Sequence, residues 1–186
     1  INNFNKNKKI KSDYLIYTGS YFYKPNKDAI DFLNNHIMPN IVKKFPKIKL
    51  ILTGGGYNKK FPWLVNKGIV SKKNLYKLIY NAQCMCVPLK FGSGTRIKII
   101  EALILGTIVI SSSKGIEGIT LRKKNPPFIA NNKIKIIKML IMVLKNYNKF
   151  KEESNKDKIF YKKSYSMKNI THNFIKSNLN KYFHGF

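Results

Sequence analysis

Short apolar runs alternate with helix-patterned segments from residue 14 onward. Apolar runs of about four to eight residues that end in glycine, serine or proline are typical of buried strands, whereas apolar residues three and four positions apart indicate helices. Strands that alternate with helices form parallel sheets, because each crossover helix covers one face of the sheet. The sequence therefore predicts an α/β fold: a Rossmann-like parallel sheet with helices on both faces.

The predicted elements follow one another with short turns. Strands are predicted at 14–18, 48–53, 64–70, 84–89, 107–111 and about 128–130. Helices are predicted from an N-cap at Asn26 to the turn at Pro46, from an N-cap at Ser71 to Asn81, from Thr95 to a C-cap at Gly106, from Lys133 to Lys145, and in two lysine-rich segments at 150–163 and 166–183. We divide the chain into a linker or the end of a preceding domain (1–13), a Rossmann-like domain (14–146) and C-terminal helices (147–186).

A chain of 186 residues with 44% hydrophobic residues can bury one core and is too short for two full-sized domains. No run approaches the about 18 consecutive apolar residues that indicate a membrane-spanning helix. The chain starts with Ile1, and residues 1–12 lack the apolar centre of a signal peptide. We expect a single domain with tails, cut from a longer protein, and a cytoplasmic location.

The formal net charge of +28 is typical of nucleic-acid-binding proteins, whose basic surfaces gain from counterion release. The residue types disfavour this interpretation. Of the 36 basic residues only Arg96 and Arg122 are arginine, the residue that makes bidentate contacts to bases. Lysine, asparagine, isoleucine, tyrosine and phenylalanine, all with AT-rich codons, make up 105 of the 186 residues, so compositional drift accounts for the charge without a partner.

Cys84 and Cys86 lie two residues apart in a predicted strand, so both side chains leave the same face and do not readily bond to each other. We expect reduced cysteines in the core. The histidines, His36, His172 and His184, lie far from them in sequence and near no acidic cluster, which disfavours a metal site. We expect neither a metal nor a resident cofactor.

The segment 88–103 is the most informative part of the chain. It reads Pro-Leu-Lys-Phe-Gly-Ser-Gly-Thr-Arg-Ile-Lys-Ile-Ile-Glu-Ala-Leu and joins a predicted strand to a helix through Gly92, Ser93 and Gly94. The first backbone N–H groups of a helix have no intrahelical partner and, helped by the helix dipole, bind anions. Here these groups belong to Thr95, Arg96 and Ile97, and the nearby cations are Arg96, Lys90 and Lys98. The segment therefore predicts a diphosphate site, although a glycine-rich loop taken alone is also compatible with a simple turn.

Glu101 lies inside the same predicted helix, among apolar residues, and is one of only eight acidic residues in the chain. A carboxylate at this position can accept hydrogen bonds from a ribose diol, as acidic residues do in other nucleotide-binding α/β folds. Taken alone, such a glutamate is more often a solvated helix residue. Its position after the glycine-rich loop favours the nucleotide interpretation.

From about Tyr14 to Leu144 the chain resembles the C-terminal domain of GT-B-fold glycosyltransferases of family 4, the group 1 transferases. Four stretches carry the resemblance in matching order and spacing: 17–21 with 25–29, 46–56, 68–70 with 75–82, and 88–106 with 109–112. The most distinctive is Phe91-Gly-Ser-Gly-Thr-Arg-Ile-Lys-Ile-Ile-Glu-Ala, which resembles the phosphate-and-ribose segment of that family.

The resemblance implies a role for each matching residue in binding a nucleotide sugar. Gly19 and Ser20 are expected to approach the diphosphate, Gly55 in the 54–56 turn to shape the pocket, and Val70 to lie near the base. Thr95 and Arg96 are expected to bind phosphate, and Glu101 the ribose. Many family members carry a further glutamate eight residues before Glu101, in contact with the donor sugar. Ser93 occupies that position here, which leaves the identity of the sugar open.

The resemblance also implies a reaction: transfer of a sugar from a nucleotide-diphosphate donor to a glycan or lipid-linked acceptor, with retention of configuration and without a metal. Arg96 and Lys90 are expected to stabilise the leaving diphosphate electrostatically. A preceding Rossmann-like domain is expected to hold the acceptor, so this chain alone is expected to be inactive. Lipid-linked acceptors make peripheral contact with the inner face of the membrane an expectation as well.

Two alternatives stay open at this point. One is a basic protein that binds nucleic acid or an anionic surface, whose affinity would collapse with salt. The other keeps the fold without the activity, as the product of a decayed gene.

Overall fold

The six strands of the sheet all run parallel. The computed structural model describes residues 12–122 and 127–166. The strands are β1 (Tyr14–Thr18), β2 (Lys49–Thr53), β3 (Leu64–Asn66), β4 (Cys84–Val87), β5 (Val109–Ser111) and β6 (Phe128–Ile129), in the order β3-β2-β1-β4-β5-β6. The strand order reverses at β1 and β4, which in open α/β sheets creates a crevice at the carboxyl ends of the strands. The predicted Rossmann-like sheet is confirmed.

Helices cover both faces of the sheet. They are α1 (Lys24–Phe32), a π-helical segment (Leu33–Ile37), α2 (Met38–Val42), α3 (Lys72–Asn81), α4 (Ile97–Ile104), α5 (Lys133–Lys145) and α6 (Tyr147–Ser164). The step from β1 to β2 and the step from β4 to β5 move in opposite directions, so right-handed crossovers place α1 and α4 on opposite faces. Accordingly, α5 packs on α2 and the π-helical segment, whereas α4 packs on α3 and α6.

The core lies on both sides of β1 and β4. Leu15, Ile16 and Tyr17 in β1 are fully buried, as are Cys84 and Met85 in β4. A strand covered on both faces needs an unbroken apolar run, and each fully buried Leu or Ile contributes about 1.5–3 kcal/mol. Cys84 and Cys86 are free thiols in this core, and burial raises the pKa of Cys86 to about 12. Among the described helices, none is long and apolar enough to span a bilayer.

Several predicted boundaries are confirmed. The Ser71 hydroxyl accepts a hydrogen bond from the Asn74 N–H at 3.4 Å and caps α3, and α5 spans the predicted residues. The C-cap of α4 is Leu105, one residue before the predicted Gly106, which follows it with a φ of +68°. The lysine-rich segment predicted at 150–163 is helical but begins earlier, at Tyr147. The helix predicted at 166–183 lies outside the described residues, apart from its first position.

The prediction that Asn26 caps the first helix is wrong. The helix begins at Lys24, with Tyr23 as its N-cap and Pro25 in the first turn, where the fixed φ of proline suits a helix. Asn26 is 8% exposed. Its side-chain amide donates to the Ser20 carbonyl at 2.9 Å instead of capping a backbone N–H.

The third strand is shorter than predicted, because it ends at Asn66 instead of residue 70. The Asn66 side chain donates to the Tyr57 carbonyl at 2.7 Å and accepts from the Gly68 N–H at 3.0 Å. These bonds turn the chain away from the strand, as asparagine often does when it bonds to nearby backbone. β4 ends two residues before its predicted end and β5 begins two residues after its predicted start.

The fourth helix begins at Ile97, not at Thr95 as predicted. The Ile97 N–H donates to the Thr95 carbonyl at 2.9 Å, and Arg96 between them has φ −82° and ψ 56°, the geometry of an inverse γ-turn. This turn occupies an N–H group that the sequence had left free for an anion.

Gly54 allows the backbones that follow β1 and β2 to meet. Its φ is +115°, and a Cβ there would lie 2.4 Å from the Gly19 carbonyl oxygen. Gly54→Ala is therefore expected to lower the free energy of unfolding by about 3 kcal/mol, measured by urea denaturation. The control is Gly118→Ala, with φ +77° and nothing within 4 Å of the added Cβ. It is expected to cost about 1 kcal/mol, and equal losses for both variants would contradict the close-approach argument.

Candidate functional site

A cavity of about 290 Å³ opens at the carboxyl ends of β1 and β2, beside the reversal of the strand order between β1 and β4. We name it the central crevice. It is lined by Thr18, Gly19, Thr53, Gly54, Ile69, Val70, Leu75 and Lys98. Its apolar residues come from the segment after β3 and from α3, whereas α4 contributes the amine of Lys98.

Glycine backbone, at Gly19 and Gly54, forms the floor of the central crevice. The Gly19 N–H donates to the Thr53 carbonyl at 2.9 Å, and the Gly54 N–H donates to the Gly68 carbonyl at 2.7 Å. A Cβ at Gly19 would lie 2.8 Å from the Lys98 amine and 2.7 Å from the Asn26 amide nitrogen. Glycine at this position therefore keeps the space in front of Lys98 open.

Lys98 reaches from α4 to the end of β1. Its Nζ donates to Asn26 Oδ1 at 2.7 Å and to the Tyr17 hydroxyl at 3.2 Å, and lies 4.2 Å from the centre of the Tyr17 ring. The Tyr17 hydroxyl in turn donates to Asn26 Oδ1 at 2.8 Å. These neutral groups fix the amine in place without supplying a negative charge.

Burial, and to a lesser extent the nearby Arg96 charge, lower the pKa of Lys98 to about 7. A buried ammonium normally draws a carboxylate partner, because an uncompensated charge in a low-dielectric site is costly. Within the part of the chain that the structure describes, no carboxylate bonds to Lys98. The site is therefore suited to an anion that comes from outside the chain.

Glu101 lies one turn after Lys98 on α4 and faces α3. Its Oε1 accepts a hydrogen bond from the Tyr76 hydroxyl at 3.2 Å. Burial raises the pKa of Glu101 above its usual value, while the Tyr76 hydrogen bond and the Lys72 charge oppose the shift. The second carboxylate oxygen forms no contact with Lys98, so Glu101 and Lys98 do not neutralise each other.

Arg96 is folded beneath the glycine-rich loop. Its guanidinium donates to the carbonyls of Gly92 at 2.8 Å, Ser93 at 2.9 Å and Lys114 at 3.3 Å, and its side chain is 7% exposed. A guanidinium has five N–H donors in a rigid fork, which here tie the loop to the segment after β5. The side chain does not line the central crevice.

The structure places some of the residues predicted for the site in three cavities, and five of them line none of the three: Ser20, Gly55, Gly92, Ser93 and Glu101. Gly19, Val70 and Lys98 line the central crevice. Gly94, Thr95, Arg96 and Ile97 line a second cavity, of about 620 Å³. Lys90 lines a third, of about 350 Å³, where its Nζ lies 5.6 Å from the centre of the Phe32 ring. The phosphate-binding roles of Thr95, Arg96 and Lys90 stay predictions.

Two exposed apolar side chains form the rim of the central crevice. Phe22 is 84% exposed and Ile69 is 87% exposed. A Cβ at Gly55 would lie 3.9 Å from the Phe22 ring and 3.7 Å from Ile69, so this glycine separates them. Ser20 lies beside Gly55 in the same rim, since the Tyr21 N–H donates to the Gly55 carbonyl at 2.9 Å.

Sequence reasoning missed Tyr17 and Asn26. The sequence predicts a strand at Tyr17 and a helix cap at Asn26, and it indicates a role in the site for neither side chain. Both assignments use local patterns, whereas their contact with Lys98 joins residues more than 70 positions apart. A polar residue in the first turn of a helix after a glycine turn was the only available signal.

Comparisons with known proteins agree with this geometry. Residues 12–146 match the family model for glycosyl transferases, group 1. A Klebsiella pneumoniae protein, described as an uncharacterized 44.6 kDa protein in the cps region, is 24% identical over 176 residues, which cover 88% of this chain and 45% of that protein.

Solved structures share the fold. TarM of S. aureus aligns with a TM-score of 0.74 and 17% identity, over 91% of this chain and 36% of TarM. Anabaena HepE, in complex with UDP and glucose, aligns with a TM-score of 0.69 and 10% identity, over 90% of this chain and 48% of HepE. These likenesses confirm the predicted half of a GT-B fold. The chain spans less than half the length of each of these three proteins.

The lowered pKa of Lys98 predicts a specific dependence of stability on pH. The folded-state pKa of about 7 lies below the ordinary 10.5, so unfolding takes up a proton between these values and the wild type gains stability as pH rises through this window. Lys98→Met lacks this gain. The free energy of unfolding of Lys98→Met minus that of the wild type is therefore expected to fall by about 1 kcal/mol per pH unit from about pH 7.5 to 9.5, measured by urea denaturation.

The control for this measurement is Lys138→Met, at an exposed position on α5. Its free energy of unfolding should change with pH in parallel with the wild type. A Lys98→Met profile that also runs parallel to the wild type would show that the Lys98 amine titrates normally.

Proposed function

We propose that this chain, which belongs to the glycosyl transferases of group 1, binds a nucleotide-diphosphate sugar in the central crevice and supplies the donor-binding half of a glycosyltransferase. The observation that carries the proposal is the amine of Lys98. It is held in front of a glycine floor, at the switch point of a parallel sheet, without a carboxylate partner among the described residues. This arrangement favours a diphosphate.

The rest of the central crevice matches the other parts of a nucleotide. Ile69, Val70 and Leu75 form the apolar end, which suits the face of a base. Glu101, one turn from Lys98, has a carboxylate that can accept hydrogen bonds from both hydroxyls of a ribose. We expect the diphosphate to lie at Lys98 and the base against the apolar residues, with the ribose between them and within reach of Glu101.

HepE has been solved with UDP and glucose and shares this fold, which supports UDP as the first nucleotide to test. The cps-region protein of Klebsiella pneumoniae supports a role in making a cell-envelope polysaccharide. The acceptor, a glycan or a lipid-linked sugar, would contact a second domain, since the chain spans less than half of its relatives. We expect this half alone to be inactive, and the whole enzyme to work in the cytoplasm at the inner face of the membrane.

In the reaction, the bond between the anomeric carbon and the diphosphate breaks, and negative charge builds on the leaving phosphate oxygen. A cation already fixed by the fold stabilises this charge without reorganisation. Lys98 is placed for this role. Arg96 shapes the glycine-rich loop through its three carbonyl contacts. Thr95 and Lys90 line the other two cavities, and their contacts with phosphate belong to the proposal. Retention of configuration without a metal belongs to this proposal.

Calorimetric titration with UDP tests the proposal. The wild type is expected to bind UDP saturably at moderate salt, and Glu101→Gln to bind about tenfold more weakly, because an amide replaces the charged acceptor for the ribose hydroxyls. The Gln side chain keeps an oxygen for Tyr76, so the fold is retained. Glu152→Gln, at an exposed position on α6, is the matched control and should bind like the wild type.

GDP and a single-stranded oligonucleotide are titrated in parallel. Tighter binding of the oligonucleotide, lost steeply with added salt, would favour the basic-surface alternative. A folded chain that binds neither nucleotide, or binds UDP equally with and without Glu101, would contradict the donor-site proposal and favour a decayed transferase.

A further inference from the structure

We propose that Tyr17 and Asn26 form a cradle that holds Lys98 as a proton acceptor, so that the amine takes up a proton when the diphosphate of the donor binds. The inference rests on the proposed donor site and adds two positioning residues to it. Neither residue contacts the donor in this account: both act through the amine that they hold.

The cradle is built from groups of fixed orientation. The Asn26 amide nitrogen donates to the Ser20 carbonyl at 2.9 Å, which turns Oδ1 toward Lys98 and Tyr17. Tyr17 is fully buried and Asn26 is 8% exposed. Because both Lys98 contacts, at 2.7 Å and 3.2 Å, come from the protein interior, the third position on the amine is directed to the open side of the central crevice.

The cradle supplies dipoles but no charge. From β1 the amine faces Tyr17, whose pKa is raised by burial so that the phenol stays neutral. From α1 it faces the uncharged amide of Asn26, and near the start of α4 the Arg96 cation repels it. These groups disfavour the ammonium in the free protein, and the pKa of Lys98 is accordingly about 7.

A bound diphosphate reverses this balance. Two phosphates in the central crevice would add negative charges next to the amine, and an opposite charge within a few ångströms favours the protonated form. The proton comes from the solvent and bonds to the lone pair of Nζ; no bond of the nucleotide sugar changes in this step. When the nucleoside diphosphate leaves, the same amine returns the proton to the solvent.

Gly19 keeps the path between the amine and the ligand clear. A Cβ there would lie 2.8 Å from Nζ and 3.0 Å from Asn26 Cγ, and would occupy the side from which the diphosphate approaches. Tyr17 and Asn26 therefore hold the amine from the protein interior, and Gly19 leaves its other side open to the central crevice.

Calorimetry measures the proton directly. Titration of the wild type with UDP at about pH 8, in buffers of different ionisation enthalpy, is expected to show uptake of about 0.5 to 1 proton per UDP, because the free amine is then mostly neutral and the bound amine charged. The affinity for UDP is expected to fall about tenfold or more between about pH 7 and pH 9. UDP that binds without proton uptake and with a flat pH profile would overturn the inference and leave the donor site intact.

Asn26→Asp tests the cradle. The carboxylate would give Lys98 a permanent counter-ion, so proton uptake on UDP binding is expected to fall close to zero. The affinity for UDP is expected to fall about tenfold, since the new charge repels the diphosphate. A residue with a merely structural role would change the affinity but not the number of protons. Asn35→Asp, exposed on the adjacent π-helical segment, makes the same change of charge and should behave like the wild type.

Lys98→Arg keeps the test decisive if Asn26→Asp does not fold. A guanidinium stays charged at every pH used, so UDP binding by this variant is expected to lose its pH dependence and its proton uptake. Persistent uptake would assign the proton to another group and overturn the inference. Failure of the wild type to bind UDP at any pH would instead contradict the proposed function, and the inference with it.

Discussion

The buried strand β1 pairs with β2 on one side and with β4 on the other, and the central crevice depends on this arrangement. Because the connections after β1 and β4 leave toward opposite faces of the sheet, a crevice stays open at the carboxyl ends of the neighbouring strands, where the turns after β1 and β2 also lie. Gly19 and Gly54 occupy these turns and let the two backbones approach. Tyr17, one strand position earlier than Thr18, carries the hydroxyl that holds Lys98. The strand therefore fixes both the floor of the site and the position of its cation.

The environment of Lys98, and not its charge alone, sets it apart from the exposed lysines of a chain with a net charge of +28. Exposed lysines are solvated and screened by salt, so they contribute little to a specific site. Lys98 is held by neutral partners in a cavity where the amine is poorly solvated. The amine in this cavity has few water molecules to solvate it. An anion that enters the cavity therefore interacts with the amine more strongly than it would with a lysine on the surface.

Arg96 shows how a residue of a distinctive motif can form contacts that its local sequence does not predict. Its position before a helix suggested a contact with phosphate, yet its guanidinium bonds to carbonyls of Gly92, Ser93 and Lys114. Loop carbonyls without partners are costly when buried, and a guanidinium can satisfy several of them at once. Arg96 therefore holds the glycine-rich loop against the segment that follows β5.

The sequence by itself determined the strand and helix order, the parallel sheet, the family, and several boundaries such as the Ser71 cap and the extent of α5. These features depend on hydrophobic period and on turn residues, which are local along the chain. Only the tertiary structure decided that Asn26 accepts a hydrogen bond from Lys98 instead of capping a helix. It also decided that the Arg96 guanidinium bonds to loop carbonyls and that Lys90 lies in a separate cavity. Polar side chains find their partners across the fold, and burial, which comes from distant segments, sets the cost of leaving them unpaired.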